Sequence, residues 1–247
     1  MIGTVPALEV RGVGRRFGGL EALRDVSFTV AEGEVIGLIV PNGAGKSTLF
    51  EIIGGGLAPS TGSVHFFGRD CSRMPPHERR RIGLCRTFQK VRLFASMTVR
   101  ENIAVAAQQS APRGSRWQDL VARTLRQLRL DAQAERRPAE LTLADRKKVE
   151  IGRAIAGCCR VLMLDESLSG LTTDEAEELV AEVLSLNRTD GTTIIVVEHV
   201  LSVLAAMVRR LVVLHNSTVI ADGPPAEIAQ DPLVIAAYLG TKARAWT

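Results

Sequence analysis

The chain has 247 residues, of which 46% are hydrophobic and 23% charged, proportions that are ordinary for a globular protein. Its net charge is +4, basic and acidic residues are interspersed, and only 4% are aromatic, so the composition argues against a nucleic-acid binder. No apolar run approaches the roughly 20 residues of a membrane-spanning helix. We expect no signal peptide, because residues 1–6 lack a basic region followed by an apolar one. The four cysteines form no C-x-x-C pair, which favours a reducing cytoplasm.

Two strands are predicted near the N-terminus, at residues 8–11 and 26–30, on either side of a loop at 15–19. Phe17 lies in this loop among arginines and glycines, which is an unusual setting for a core residue. It could be a partly buried core aromatic or a stacking surface for a nucleotide base, and the residues alone do not distinguish the two.

The next segment has the order strand, glycine turn, helix. Residues 35–40 are an apolar, β-branched run, the pattern of a buried strand. Pro41 and Asn42 end this run, and Gly43 and Gly45 let the backbone turn where side chains would clash. A helix is predicted directly after the turn, so the segment is typical of a phosphate-binding loop.

The start of this helix carries the residues that such a loop needs. Backbone N–H groups of the turn and of the helix N-terminus make a concave anion site. Lys46 would neutralise the β- and γ-phosphates of a nucleotide, and the hydroxyl of Ser47 would hold Mg²⁺. Val40 replaces the first glycine of the pattern G-x-x-x-x-G-K-[ST]. The alternative is a strand–helix turn of the same composition that binds no ligand.

A strand is predicted at residues 82–89, after a helix that begins at the double proline 75–76 and carries its arginines on a solvated face. Gln89 ends the strand. It could be a surface residue, or it could reach a metal or an attacking water at the carboxyl edge of a parallel sheet, where such sites collect.

Residues 91–156 have a helical pattern. Thr98 and Glu101 have the spacing of a capping box, and residues 117–130 carry an apolar stripe typical of a core-facing helix. A further helix is predicted at 141–155, with Thr142 near its start. It could be a capped amphipathic helix with a basic face, or its N-terminus could bind a second anion.

Two carboxylates follow the apolar run at 161–164. Asp165, at the end of a buried strand beside a phosphate loop, can hold Mg²⁺, and Glu166 can orient or activate water. Adjacent buried acids without such a role would be costly. The remaining predicted elements are a helix from 173, strands at 192–197, 210–214 and 218–221, and a helix from 231 to 240.

In this order the features resemble the ATPase subunit of ABC transporters, and the resemblance covers essentially the whole chain. The motifs that carry it are the phosphate loop, 87–89, 141–146, 162–166 and His199. The segments that narrow it to the branched-chain (hydrophobic) amino-acid uptake group are 86–94, 97–102 and 237–240. One motif alone would be weak, whereas five in order are specific.

The resemblance implies a role for each candidate residue. The nucleotide would be bound by Phe17, which stacks on adenine, and by the Walker A residues Asn42, Gly43, Ala44, Gly45, Lys46, Ser47 and Thr48. Gln89 would form the Q-loop and contact both nucleotide and metal, and Mg²⁺ would be held by Ser47, Gln89 and Asp165. Glu166 would be the catalytic carboxylate, assisted by Lys46, Gln89 and the switch histidine His199.

The signature motif, usually L-S-G-G-Q in this family, is Leu-Thr-Leu-Ala-Asp at 141–145. Thr142 keeps the hydroxyl, whereas Ala144 and Asp145 replace glycine and glutamine, and all three would contact nucleotide. Ser167 stands at the family's Walker B proline, and Thr172 at its D-loop aspartate. Because signature and Walker A come from different subunits in this family, the resemblance implies a nucleotide-sandwich dimer.

We therefore expect an α/β fold: a P-loop NTPase (RecA-like) ABC ATPase core with an N-terminal antiparallel β-subdomain and an inserted α-helical subdomain. The chain would be a single ABC ATPase domain over 1–247. Residues 1–90 and 156–240 would form its nucleotide-binding core, and residues 91–155 its helical signature subdomain.

The resemblance implies ATP hydrolysis, with ATP and Mg²⁺ bound, that powers uptake of branched-chain or other hydrophobic amino acids or related amides. The partners would be membrane permease subunits, a second ATPase subunit (identical or different) and a periplasmic or extracellular solute-binding protein, without nucleic acid. The chain would lie at the cytoplasmic face of the cell membrane, held peripherally by the permeases. Two alternatives stay open: a non-transport ABC ATPase, and an ATP-binding module with impaired hydrolysis, which Val40 and the altered signature allow.

Overall fold

A computed structural model of the chain describes residues 5–41, 44–87, 91–110, 116–198, 204–205 and 207–239. The chain divides into two units, the first made of residues 1–76 and 195–247 and the second of residues 77–194. The division expected from sequence, with 91–155 as a helical insert, has other boundaries and stays a prediction. Among the described residues, none of the helices has the length and apolar character needed to cross a bilayer.

The described residues form both strands and helices, and three α-helices follow one another between residues 86 and 161. The strands are β1 (Leu8–Phe17), β2 (Leu20–Val30), β3 (Val35–Ile39), β4 (Thr61–Phe66), β5 (Arg69–Asp70), β6 (Leu84–Arg86), β7 (Val161–Asp165), β8 (Thr193–Val197), β9 (Arg210–His215) and β10 (Thr218–Gly223). The helices are α1 (Lys46–Gly54), α2 (Pro76–Arg81), α3 (Val99–Ser110), α4 (Trp117–Gln127), α5 (Leu143–Ile155), α6 (Thr173–Asp190), α7 (Pro225–Ile228) and α8 (Pro232–Val234), the last followed by a short π-helix at Ile235–Leu239.

The first unit holds an antiparallel sheet of order β2-β1-β4-β5, which matches the expected N-terminal antiparallel subdomain. It also holds strands in the order β10-β9-β3, where β3 pairs with β9 in parallel and β9 pairs with β10 as an antiparallel hairpin. β3 is also next to β8 in this sheet, and residues 195–197 of β8 belong to the first unit. The apolar runs of β3, β8 and β9 are largely buried, as strands covered on both faces require, whereas β10 is mostly half-buried.

The predicted loop at 15–19 is wrong, because β1 continues through Phe17 and only Gly18 and Gly19 turn. Phe17 pairs with Leu20 across this two-residue hairpin, and Gly18 has φ +55°. A positive φ at the tip of a tight hairpin is easily adopted by glycine, so the strands extend to the turn itself.

In the second unit β6 and β7 pair in parallel, with Leu84 opposite Val161. β6 is shorter than the predicted strand at 82–89, and residues 88–90 lie outside the described part of the chain. The helical region predicted from 91 begins only at Val99. The capping box expected there is confirmed, since Glu101 Oε2 accepts from Thr98 N at 2.7 Å and Thr98 Oγ1 accepts from Glu101 N at 3.2 Å.

The side chain of Asn102 explains why residues 94–98 are not helical. Its amide nitrogen donates to the carbonyls of Phe94, Met97 and Thr98 at 3.1, 3.2 and 2.9 Å, and its Oδ1 accepts from Phe94 N at 2.8 Å. Asn102 is fully buried, so these bonds satisfy polar groups that water does not reach. They hold the preceding backbone in a folded loop.

The solvated basic face predicted for α2 is wrong for Arg79 and Arg80, whereas Arg81 is exposed as predicted. Arg79 is buried, and the half-buried guanidinium of Arg80 contacts the Cys85 sulfur and the carbonyl of Ala154, with a weaker bond to Arg153 O at 3.4 Å. The last carbonyls of a helix lack intrahelical donors. Arg80 supplies such a donor to the end of α5, and this draws the arginine inward.

Candidate active site

The predicted phosphate loop lies in the first unit, between β3 and α1. β3 ends at Ile39, so the expected strand through Val40 is one residue too long. Val40 is only 4% exposed, which places the valine that replaces the motif glycine in the core. The N–H of Ala44 donates to Pro41 O at 3.0 Å and closes a turn. Asn42 and Gly43 lie outside the described residues.

Gly45 is the position where only glycine fits. It precedes α1 with φ +96°, and its carbonyl accepts the N–H of Leu49 at 2.8 Å. A Cβ here would lie 2.5 Å from Ala22 O and 2.6 Å from Leu23 Cδ2, both in β2. This close approach lets the turn pack against β2 while α1 starts at the next residue.

Lys46, Ser47 and Thr48 form the first turn of α1, as predicted. Lys46 and Thr48 are half-buried and Ser47 is exposed. The turn contains no acidic residue. The first N–H groups of a helix have no intrahelical acceptor, and the helix dipole is positive at this end. The turn can therefore bind an anion, and it also carries the ammonium of Lys46 and the hydroxyls of Ser47 and Thr48.

Phe17 ends β1 with 43% of its surface exposed. The core alternative for this ring is therefore wrong. The guanidinium carbon of Arg15 lies 4.7 Å from the ring centroid, a cation–π contact. An exposed aromatic ring beside a cation remains suited to stacking on a planar ligand.

The two carboxylates lie in the second unit, at the end of β7. Asp165 is the last residue of this strand and is buried, and its N–H donates to Thr87 Oγ1 at 3.2 Å. Glu166 follows, half-buried, with φ +49°. A non-glycine residue in the left-handed region costs about 1 to 2 kcal/mol, and such strain often marks a functional position.

The predicted signature lies at the start of α5, where the capped-helix interpretation is confirmed. Thr142 is the N-cap, and its hydroxyl accepts from Asp145 N at 3.1 Å. The Asp145 side chain places a carboxylate in the first turn, which already complements the positive end of the helix dipole. Ala144 is buried. The predicted basic face is wrong, because Lys147 and Lys148 are buried on the inner side of the helix.

Sequence reasoning missed two features near the carboxylates. Thr172 and Glu175 form a capping box at the start of α6, with Glu175 Oε2 accepting from Thr172 N at 2.9 Å. The T-x-x-E spacing of these two residues is the sequence pattern that could have predicted this capping box. Ser167, which stands where the family has proline, places its hydroxyl 3.2 Å from Thr87 Oγ1. Ser167 and Thr87 are 80 positions apart in the sequence, so no local sequence pattern could have predicted this contact.

The structure thus groups Gly45, Lys46 and Ser47 in one unit and Asp165 with Glu166 in the other. Gln89 and His199 lie outside the described residues. The hydroxyl of Ser47 and the carboxylate of Asp165 are hard oxygen donors of the kind that Mg²⁺ takes. In the first unit a strand leads through a left-handed glycine to a helix whose first turn can bind an anion. Together with the acid pair Asp165 and Glu166 at the end of β7, this arrangement defines the class as a P-loop nucleotide-binding protein.

Comparisons with known proteins agree with this class. Residues 23–169 match the family described as ABC transporter, and residues 218–244 match the branched-chain amino acid ATP-binding cassette transporter family. The chain is 36% identical to the high-affinity branched-chain amino acid transport ATP-binding protein LivG of Salmonella typhimurium, over 95% of this chain and 98% of that one. Identity to BraF of Pseudomonas aeruginosa, a protein of the same description, is 34% with the same coverage.

Solved structures are similar throughout. A nucleotide-free ATP-binding cassette from an ABC transporter superposes with a TM-score of 0.87 at 29% identity, covering 95% of this chain and 99% of its own. An ATP-binding cassette of an ABC transporter in its ADP conformation superposes with a TM-score of 0.87 at 30% identity, covering 96% of this chain and 100% of its own. The chain belongs to the ABC transporter family, as an ATP-binding cassette with ATPase activity. The predicted fold class and the predicted enzyme class are confirmed.

Proposed function

We propose that this chain hydrolyses ATP to power the import of branched-chain amino acids through separate membrane permease subunits. The observation that carries the proposal is the near full-length similarity to LivG and BraF, whose names state that transport. The match of residues 218–244 to the branched-chain family supports it independently, because this segment lies outside the matched ATPase region 23–169.

Nucleotide binding is proposed for the first turn of α1 and for Phe17. Lys46 would neutralise the β- and γ-phosphates, and the N–H groups after Gly45 would donate to phosphate oxygens. The family resemblance assigns Ser47, Gln89 and Asp165 as the residues that would hold Mg²⁺, and this ion would offset further phosphate charge. The exposed ring of Phe17 would stack on the adenine.

Hydrolysis is proposed to depend on Glu166 as the base that orients and deprotonates the attacking water. Its position directly after the buried Asp165 supports this role, as does its left-handed backbone. Gln89 and His199 are proposed to contact the γ-phosphate and the water, as the family resemblance implies. The proton taken by Glu166 would leave with phosphate release.

Transport requires partners. We propose that two cassettes close on nucleotide between them, that permease subunits hold them at the cytoplasmic face of the membrane, and that a solute-binding protein delivers the amino acid on the other side. Closure with ATP and opening after hydrolysis would supply the two states that alternating access needs.

A heterodimer with a second, different cassette is a further candidate, and Asp145 favours it. This acid takes the position of the family glutamine in the first turn of α5 and adds negative charge where a second nucleotide would approach. A partner with an unaltered signature would restore one full site per dimer.

The decisive experiment reconstitutes the chain with co-purified permeases in proteoliposomes and measures uptake of labelled leucine, isoleucine and valine. We expect uptake that requires ATP and the solute-binding protein, and that excess unlabelled leucine suppresses. ATP-driven uptake of another solute that leucine does not inhibit would overturn the amino-acid assignment while leaving the ATPase class intact.

A further inference from the structure

The ammonium of Lys147 reaches the backbone that follows the two carboxylates. Lys147 lies in the second turn of α5 and is only 8% exposed. Its Nζ donates to Ser167 O at 2.8 Å and to Ser169 O at 2.6 Å. We call residues 167–172, between Glu166 and α6, the post-carboxylate segment. One buried charge therefore binds two carbonyls of this segment.

The neighbouring Lys148 shows that such a contact is not a general property of the helix. It is buried to a similar degree, but its Nζ meets two carboxylates, Glu182 at 2.8 Å and Glu178 at 3.2 Å. Both partners lie in α6, where the pair with Glu182 is buried and the Glu178 side chain is half exposed. The two adjacent buried lysines thus have different partners: Lys148 binds carboxylates of α6, whereas Lys147 binds the post-carboxylate segment.

The backbone at Glu166 requires contacts that hold its conformation. Its φ of +49° is unfavourable for a residue with a side chain, and strained conformations persist only where the surroundings determine them. The turn that follows is held by Ser169 N donating to Glu166 O at 3.3 Å and by the contact between Ser167 Oγ and Thr87 Oγ1. Lys147 binds the carbonyls of both serines and so ties this turn to α5.

We propose that Lys147 is a positioning residue, which holds the post-carboxylate segment against α5 and thereby sets the orientation of the Glu166 carboxylate. The proposal rests on the hydrolytic role proposed for Glu166. Charge-assisted bonds are stronger and shorter than neutral ones, so a buried ammonium suits this purpose.

The test compares steady-state ATP hydrolysis by the full-length chain and by Lys147→Met, together with nucleotide affinity by titration. Misplacing a catalytic group by about 1 Å can cost roughly 100-fold in rate. We expect kcat per folded molecule to fall roughly 10- to 100-fold, whereas the Kd for ATP changes by less than about twofold. Lys147→Arg, which keeps a charged donor for the carbonyls of Ser167 and Ser169, should recover kcat to within about threefold of the native value.

The matched control is the double variant Lys148→Met and Glu182→Met, which replaces the neighbouring ion pair without leaving an unpaired charge in the core. It should keep kcat per folded molecule within about twofold. Equal losses of kcat in this control and in Lys147→Met would overturn the proposal, because generic loosening of α5 would explain both. A native kcat in Lys147→Met would overturn it as well.

If Lys147→Met does not fold, Lys147→Leu, which also has no donor, serves with the same expectations. Ser167→Ala tests the second anchor of the segment, because it removes the contact with Thr87 and leaves the bond from Asp165 N to Thr87 Oγ1 in place. A native kcat in both variants counts against positioning. Glu166→Gln is assayed in parallel. Unimpaired turnover in that variant shows that the role proposed for Glu166 has failed, whatever the result at Lys147.

Discussion

Lys148 in α5 and Glu182 in α6 form a buried ion pair, with 2.8 Å between Nζ and Oε1 and side chains that are 6% and 3% exposed. Desolvation opposes the charge on Lys148, but the hydrogen bonds and charges of Glu182 and Glu178 outweigh it and raise the pKa of the lysine. The pair fixes α5 against the helix that follows the carboxylates.

Lys148→Met should destabilise the protein by roughly 3 kcal/mol, because it leaves the Glu182 carboxylate buried without its cation. Adding Glu182→Met should recover much of the loss, since an apolar pair carries no desolvation penalty. Urea unfolding of the native chain and of the single and double variants measures both effects. Native stability in Lys148→Met would show that the ion pair does not stabilise this helix contact. Equal stability of the single and double variants would show that the unpaired Glu182 carboxylate is not the cause of the loss.

Glu166→Gln keeps the shape of the side chain and removes its charge. Turnover should fall by roughly 10²- to 10⁴-fold while ATP still binds, because the variant loses the base but retains the first turn of α1. Phosphate release and nucleotide titration on the same preparation separate the two quantities. Near-native hydrolysis would remove Glu166 from the mechanism.

Val40→Gly restores the glycine of the phosphate-loop pattern. The side chain of Val40 is buried and lies just beyond β3, so we expect the ATP affinity to change by less than about tenfold, or ~1.4 kcal/mol. Stability should fall by about 2 kcal/mol, since a buried valine is lost. Val40→Ala, which keeps a Cβ, is the control for backbone freedom.

Titration with ATP and turnover assays check the Val40 prediction. A gain in affinity or rate well beyond tenfold for Val40→Gly would contradict it. That outcome would indicate an impaired native site and would favour pairing with a different, more active cassette.

Glu175 accepts hydrogen bonds from the backbone and hydroxyl of Thr172, and these lower the pKa of its carboxyl. A lowered folded-state pKa adds stability above the unfolded value of about 4.3, and this stability is lost as the pH falls through the folded-state pKa. We therefore expect the native chain to have a higher thermal midpoint than Glu175→Gln at pH 6, with the difference disappearing towards pH 3.

Thermal scans of both proteins from pH 6 to pH 3 test this dependence. Glu177→Gln, an exposed carboxylate of the same helix outside the cap, is the control. A constant difference between the native chain and Glu175→Gln across this range would show that the cap does not depend on the charge of Glu175.

Features that depend on a few adjacent residues were predictable from sequence. The turn that ends in Gly45 and Lys46, the capping box of Thr98 with Glu101 and the N-cap at Thr142 all occur as expected. Backbone geometry over one turn determines such features, and residue type at fixed spacing reports it directly.

Burial and orientation at long range were decided only by the tertiary structure. Lys147 and Arg79 belong to segments that look solvated in sequence, yet both are buried, and Phe17 is more exposed than a core ring would be. Each outcome depends on what packs against the residue from a distant part of the chain. A lysine in a helix has the same local pattern whether its ammonium meets water or the carbonyls of Ser167 and Ser169, so only the folded chain reveals that it anchors the segment after Glu166.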